Sequence, residues 1–155
     1  MRFRNLFPAL LMVLPLMACG GHDSTGPTDP LVANWEADPR CLWDCWFTVR
    51  SVSDPADSLN LTNQLSARFE LDLRSDGSYR VVLSAPGVSD YQDNGTFTST
   101  NGLLVLDGGR SRDTLDYQLN DPILRLSFRN HMALVDLNGD GVADTVTVAA
   151  ALKKF

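Results

Sequence analysis

The sequence predicts an all-β fold, an antiparallel up-and-down β-barrel of about 8–10 strands filling residues 31–155. Three observations carry that expectation. Apolar and polar residues alternate along most of this stretch, the mark of strands with one dry face and one wet face. Turn pairs such as Asn101-Gly102 separate the alternating runs at short intervals. No stretch after Leu31 carries a convincing helical period. A two-sheet sandwich is the competing arrangement, but a closed barrel leaves no exposed strand edge.

The elements follow in order. Leu31–Glu36 opens the first strand. Ala67, Phe69, Leu71 and Leu73 alternate with Arg68, Glu70, Asp72 and Arg74. Ser75-Asp76-Gly77-Ser78 turns the chain into Tyr79-Val81-Leu83, giving a hairpin. After Pro86-Gly87, the Thr-rich run Gln92–Thr100 is β-prone. Leu103–Leu106 returns from the Asn101-Gly102 turn, and Gly108-Gly109 is read as the next turn. Leu115, Tyr117 and Leu119 then share a face. Beyond Asn120-Asp121-Pro122, Leu124, Leu126 and Phe128 face inward opposite Arg125 and Arg129. Met132–Val135 and Thr145–Leu152 complete the set.

Composition excludes several functions. The chain has 155 residues, 44% hydrophobic and 21% charged, as a folded domain should. Its net charge is −6 with no Lys/Arg cluster, so it lacks the basic face that nucleic acid requires. There are two histidines, and only His131 falls in the folded part, which excludes a multi-His metal site. Ser84 and Ser111 lack a nucleophile-elbow context, and no Gly-rich phosphate loop is present. The chain is therefore expected not to be an enzyme.

The N-terminus reads as an export signal. Arg2 and Arg4 are the only charges before Asp23, and Leu6–Met17 is apolar apart from Pro8 and Pro15. The apolar core ends in Leu16-Met17-Ala18-Cys19, which resembles the lipobox of bacterial lipoproteins. That resemblance implies cleavage before Cys19 and acylation of Cys19 on sulfur and then nitrogen, a multi-chain anchor that holds a membrane stably. Ordinary secretion with cleavage near Ala18 is the alternative. Gly20 rather than Asp follows the cysteine, so outer-membrane localisation is expected. Losing Arg2 and Arg4 makes the mature chain more acidic still, so lipid, not a basic patch, would attach it. The expected organisation is a signal at residues 1–18, a lipidated Cys19 with flexible tether through residue 30, and the barrel at 31–155. A monomer is expected.

With Cys19 lipidated, Cys41 and Cys45 remain as a pair in an oxidising compartment. In an extended strand their Cα atoms would lie about 13 Å apart, out of disulfide reach, whereas one helical turn brings them to roughly 6 Å. A structural disulfide therefore requires Pro39–Cys45 to be a turn or helical cap. A redox or metal pair is the functional alternative, without the spacing or companions it needs.

Asp136-Leu137-Asn138-Gly139-Asp140-Gly141-Val142-Ala143-Asp144 places oxygen-bearing side chains at alternate positions of a tight loop. Calcium takes about 6–8 oxygen ligands. The side chains of Asp136, Asn138, Asp140 and Asp144, with the Val142 carbonyl, are the candidate Ca²⁺ ligands. Thr147 stands where an EF-hand places its bidentate Glu, and the flanks read as strands. The loop instead resembles the strand–loop–strand calcium loops of FG-GAP-type repeats. A metal-free hairpin is the alternative, since Asn-Gly and Asp-Gly favour turns.

The order of motifs from Leu31 to about Phe128 resembles bacterial lipocalin-like lipoproteins. The motifs are Leu31-Val32-Ala33-Asn34-Trp35-Glu36, then Leu71-Asp72-Leu73 leading to Asp76-Gly77-Ser78-Tyr79, then Asn94-Gly95-Thr96-Phe97, then Leu103-Leu104-Val105-Leu106. The resemblance implies an apolar-lined barrel able to hold a small hydrophobic ligand. The expected interior residues are Trp35, Phe69, Leu71, Tyr79, Leu104, Tyr117 and Leu126. The aromatic group Trp35, Trp43, Trp46 and Phe47 is expected either to pack the barrel floor or to line a ligand mouth. A non-catalytic structural or interaction module with a filled barrel is the alternative function.

Overall fold

The computed structural model describes residues 29–155 apart from Leu42, Trp43, Val88, His131 and Asn138, and describes only the backbone of Met132–Val135. Cys19 and the signal lie outside the described residues, as does the tether up to residue 28. The elements are β1 (Ala33–Ala37), a short 3-10 helix (Pro39–Cys41), β2 (Trp46–Ser51), β3 (Ser58–Asn60), α1 (Leu61–Leu65) and β4 (Arg68–Leu73). There follow β5 (Ser78–Ser84), β6 (Tyr91–Thr100), β7 (Leu103–Gly108), β8 (Arg112–Asn120), β9 (Ile123–Phe128), β10 (Met132–Val135) and β11 (Asp144–Lys154).

Eight of these strands close an antiparallel barrel in the order β1-β4-β5-β6-β7-β8-β9-β11, with β1 meeting β11 through Trp35–Lys154 and Glu36–Lys153. From β4 to β9 every strand pairs with the next in sequence, so the wall is a meander. β11 is the longest strand at 11 residues and joins the pieces together. Along one edge it pairs with β1 and then β2; along the other it pairs with β9 and then β10. β1 with β2, and β9 with β10, thus act as two long strands, each interrupted once.

The interruption between β1 and β2 is held by covalent and ionic contacts. Cys41 and Cys45 form a disulfide with Cα atoms 5.6 Å apart, and the 3-10 turn at Pro39–Cys41 supplies the compact backbone this requires. Cys45 is buried in the core. Asp38 accepts from Arg40 Nε and Nη2 at 2.8 and 2.7 Å. This guanidinium holds the Asp38 carboxyl at about 2, below its ordinary 3.8, although burial pushes the other way. Arg68 from β4 reaches Glu36 at 2.8 Å, Glu70 at 3.0 Å and Asp38 at 3.5 Å. It compensates two buried carboxylates, Glu36 and Asp38, that would otherwise be costly.

The turns follow the local chemistry. Asn101 (φ 51°) and Gly102 (φ 80°) are both left-handed, as a two-residue hairpin demands, and asparagine tolerates that region better than other side chains. Two expectations are corrected. Gly108 is the last residue of β7 rather than part of a turn; its N–H donates to Ser111 O at 2.9 Å across a turn of residues 109–111. A helix, α1, does occur at Leu61–Leu65. Its start is fixed by Asn60, whose Oδ1 accepts from Asn63 N at 3.0 Å while its own N–H donates to Gln64 Oε1 at 2.6 Å. One turn of helix is too short to show a period.

The register separates the barrel into two halves. One end is ringed by the turns at 74–77, 101–102 and 121–122, the other by the segments at 85–90, 109–111 and 129–131. Near the first end the interior is solid: Trp35, Leu73, Leu104, Leu124 and Leu152 are at most 1% exposed. Trp35 also satisfies its indole, donating to Leu31 O at 2.8 Å.

Candidate functional site

Toward the second end the same strands enclose a cavity of about 460 Å³. Several strands contribute at both levels. In β7 Leu104 packs the solid half and Leu106 lines the cavity; in β9 Leu124 packs and Leu126 and Phe128 line; in β11 Leu152 packs and Val148 lines. β4 and β5 add Phe69, Leu71, Val81 and Leu83, and β8 adds Leu115. Phe47 of β2 stacks on Phe69 with ring centroids 4.9 Å apart. Its position is set by α1, where the buried Thr62 Oγ1 accepts from Phe47 N at 3.0 Å.

A few polar groups interrupt this lining. Tyr79 stands at the boundary between the halves and extends along the axis, its hydroxyl donating to Asp93 Oδ2 at 3.1 Å. Both residues are buried, at 2% and 6% exposure. Burial above all, and then the bond donated to Asp93, push the Tyr79 hydroxyl well above its ordinary value, so it stays a neutral donor. The pair depends on two facing glycines, Gly95 on β6 and Gly108 on β7. A Cβ at Gly108 would collide with both the Asp93 carboxylate and the Tyr79 hydroxyl, and one at Gly95 would collide with the Asp107 carbonyl. Nearer the open end, Ser111 Oγ donates to Asp113 Oδ2 at 2.6 Å. Asn130 and Tyr91 complete the lining, with the Arg110 guanidinium 5.4 Å above the Tyr91 ring.

Of the residues expected inside the barrel, Phe69, Leu71, Tyr79 and Leu126 face the cavity. Trp35 and Leu104 lie in the solid half and do not reach it. Tyr117 is half-buried beside the Asn101-Gly102 turn, its N–H bonded to Gly102 O at 2.8 Å, and it closes the solid end. Among the aromatic group, Phe47 lines the cavity, Trp46 is half-buried on the outer face, and Trp43 lies outside the described residues. Trp46 borders a shallow external concavity of about 530 Å³ shared with Thr48, Arg50 and Thr147, too open to exclude much water. The inward acids Asp93 and Asp113 were not singled out in the sequence. Asp93 shares a face of β6 with Tyr91, Gly95 and Phe97, but no aliphatic run marks that face as inward.

The acidic loop joins β10 to β11 at the open end. Asp136 accepts from the N–H groups of Gly139, Asp140 and Gly141 at 2.6, 3.1 and 2.7 Å. Asp140 Oδ1 accepts from Val142 N at 2.8 Å, and Asp144 Oδ2 accepts from Leu137 N at 2.7 Å. Backbone donors therefore already offset much of the repulsion among the three carboxylates. Among the described residues no group of three or more His, Cys, Asp or Glu side chains is gathered as a metal site; Asn138 lies outside them. Among the described residues no helix is long and apolar enough to cross a membrane. The chain matches no protein-family model and no curated protein.

Proposed function

We propose that this chain is a membrane-anchored envelope lipoprotein whose barrel binds a small hydrophobic molecule. The observation that carries the reading is the cavity of about 460 Å³, walled by aliphatic and aromatic side chains and floored by a solid core. Ligand sites occupy about 300–1,000 Å³ and combine apolar walls with a few placed polar groups. A filled barrel acting only as a structural module would leave no such space. The anchor rests on the Arg2/Arg4, apolar-core, Leu16–Cys19 order, and acylated Cys19 would hold the domain close to the outer membrane. No catalytic role is assigned.

Calcium belongs to the same reading. Asp136, Asn138, Asp140 and Asp144 with the Val142 carbonyl would clamp the β10–β11 connection, a structural role rather than a sensing one. The support is the spacing of Asp136, Asn138, Asp140 and Asp144 along one loop of the sequence.

Titration with a neutral naphthylamine dye tests the cavity. Saturable one-to-one binding is expected, lost in Leu115→Trp, which fills the space from β8. Absence of binding by a folded, ligand-stripped protein would overturn the proposal.

A further inference from the structure

The cavity is apolar but not uncharged, and its charge has one sign. Asp93 and Asp113 are both part of the lining, and no Lys or Arg belongs to it among the described residues. Arg110, beside the rim, is exposed and lies over the Tyr91 ring. Asp93 is 6% exposed and receives one hydrogen bond, from Tyr79 to Oδ2; Oδ1 accepts none among the described residues. Asp113 receives one, from Ser111. Both carboxylates line the same cavity, into which the Tyr79 hydroxyl also reaches.

A buried carboxylate with a single neutral donor is under-compensated, because desolvation removes water that would otherwise surround it. Gly108 leaves the room that the Asp93 carboxylate and the Tyr79 hydroxyl fill, and a side chain there would displace both. The wall is thus shaped around a negative group where an apolar lining alone would not need one. An anionic amphiphile would bring like charge into a low-dielectric space; a cation would supply the missing partner.

From this we infer that the ligand is a small apolar molecule bearing one protonated amine, its apolar body against Phe47, Phe69 and Leu126 and its ammonium group on Asp93 with Asp113 nearby. This deepens the ligand-binding reading and rests on it.

The test uses the purified, ligand-stripped full chain and three probes sharing one alkyl chain: decylamine, decanol and decanoate, each displacing the neutral naphthylamine dye. Decylamine is expected to bind at least about tenfold tighter than decanoate, with decanol between them. Asp93→Asn is expected to erase most of that preference, with decylamine affinity falling by far more than any change in decanol affinity. Asp113→Asn is expected to reduce the preference in part and serves as a second variant should Asp93→Asn fail to fold. Equal affinity for amine and carboxylate, or a preference unchanged in a folded Asp93→Asn protein, would overturn the inference and leave the ligand-binding reading standing. Failure of the dye and all three probes to bind would overturn that reading, and the inference with it.

Discussion

The two halves of this barrel share most of their strands and nearly the same residue types, yet one is solid and the other hollow. In the solid half, β1 contributes Trp35 and β11 contributes Leu152, and both are fully buried. In the hollow half that β1–β11 pairing has ended. β2 runs beside β11 instead and pairs on its other edge with β3 rather than β4. The wall there is bridged by side chains, Phe47 on Phe69, rather than by backbone hydrogen bonds. The difference teaches that a strand pattern specifies a dry face, whereas strand pairing decides whether that face is filled.

The largest effect should come from leucines two residues apart on β9. Leu124→Ala in the solid half is expected to cost about 3 kcal/mol, and Leu126→Ala beside the cavity about 1–2, because fewer atoms surround it to be lost. Urea denaturation of both variants measures this, and equal costs would break the distinction between the halves. Next is the segment that carries the chain from Trp35 in one half to Phe47 in the other. Replacing Cys41 and Cys45 with serine is expected to cost roughly 2 kcal/mol by the loop-entropy relation for so short a loop. Phe47 should also be less well placed, so weakened dye binding in the double variant would sharpen the assignment of that segment as the brace of the hollow half.

The acidic loop before β11, proposed above to hold calcium, sits at the hollow end. Calcium at ten times its Kd is expected to add about 1.4 kcal/mol, a rise in Tm of about 5 °C that Asp140→Ala removes. Coincident melting curves with calcium and with chelator would remove the metal from the account. A further effect concerns acid. Asp38 is held at about 2 in the folded protein, below its ordinary 3.8. Its contribution is therefore complete above about pH 4 and lost as pH falls toward 2. Asp38→Asn should flatten that part of the acid-denaturation curve, and an unchanged slope would contradict the role given to the Arg40 pairing.

Much of the fold was legible in the sequence because the meander from β4 to β9 obeys local rules. Alternation gave the strand faces, and Asn101-Gly102 gave a turn whose two left-handed residues few other pairs adopt. The five-residue α1 was not legible, since one turn has no period, and neither was the path of β2 and β3. The cavity was legible only by face. Leu104 and Leu106, or Leu124 and Leu126, are indistinguishable by alternation, and height along the barrel axis depends on long-range register that a single strand does not encode. Tyr117 shares the face of Leu115 but lies at the solid rim. Gly108 reads as a turn residue when only its neighbour Gly109 is considered, and its reason, the space needed by Tyr79 and Asp93, comes from two other strands.

The claim that the hollow half is a ligand site is tested most directly by native mass spectrometry of the protein purified from its own cells. The account predicts, beyond the mass of the acylated chain and any calcium, a discrete small-molecule adduct that leaves on gentle activation and is absent from Leu115→Trp. A folded protein that carries no adduct, and gains none when incubated with apolar probes, would contradict it.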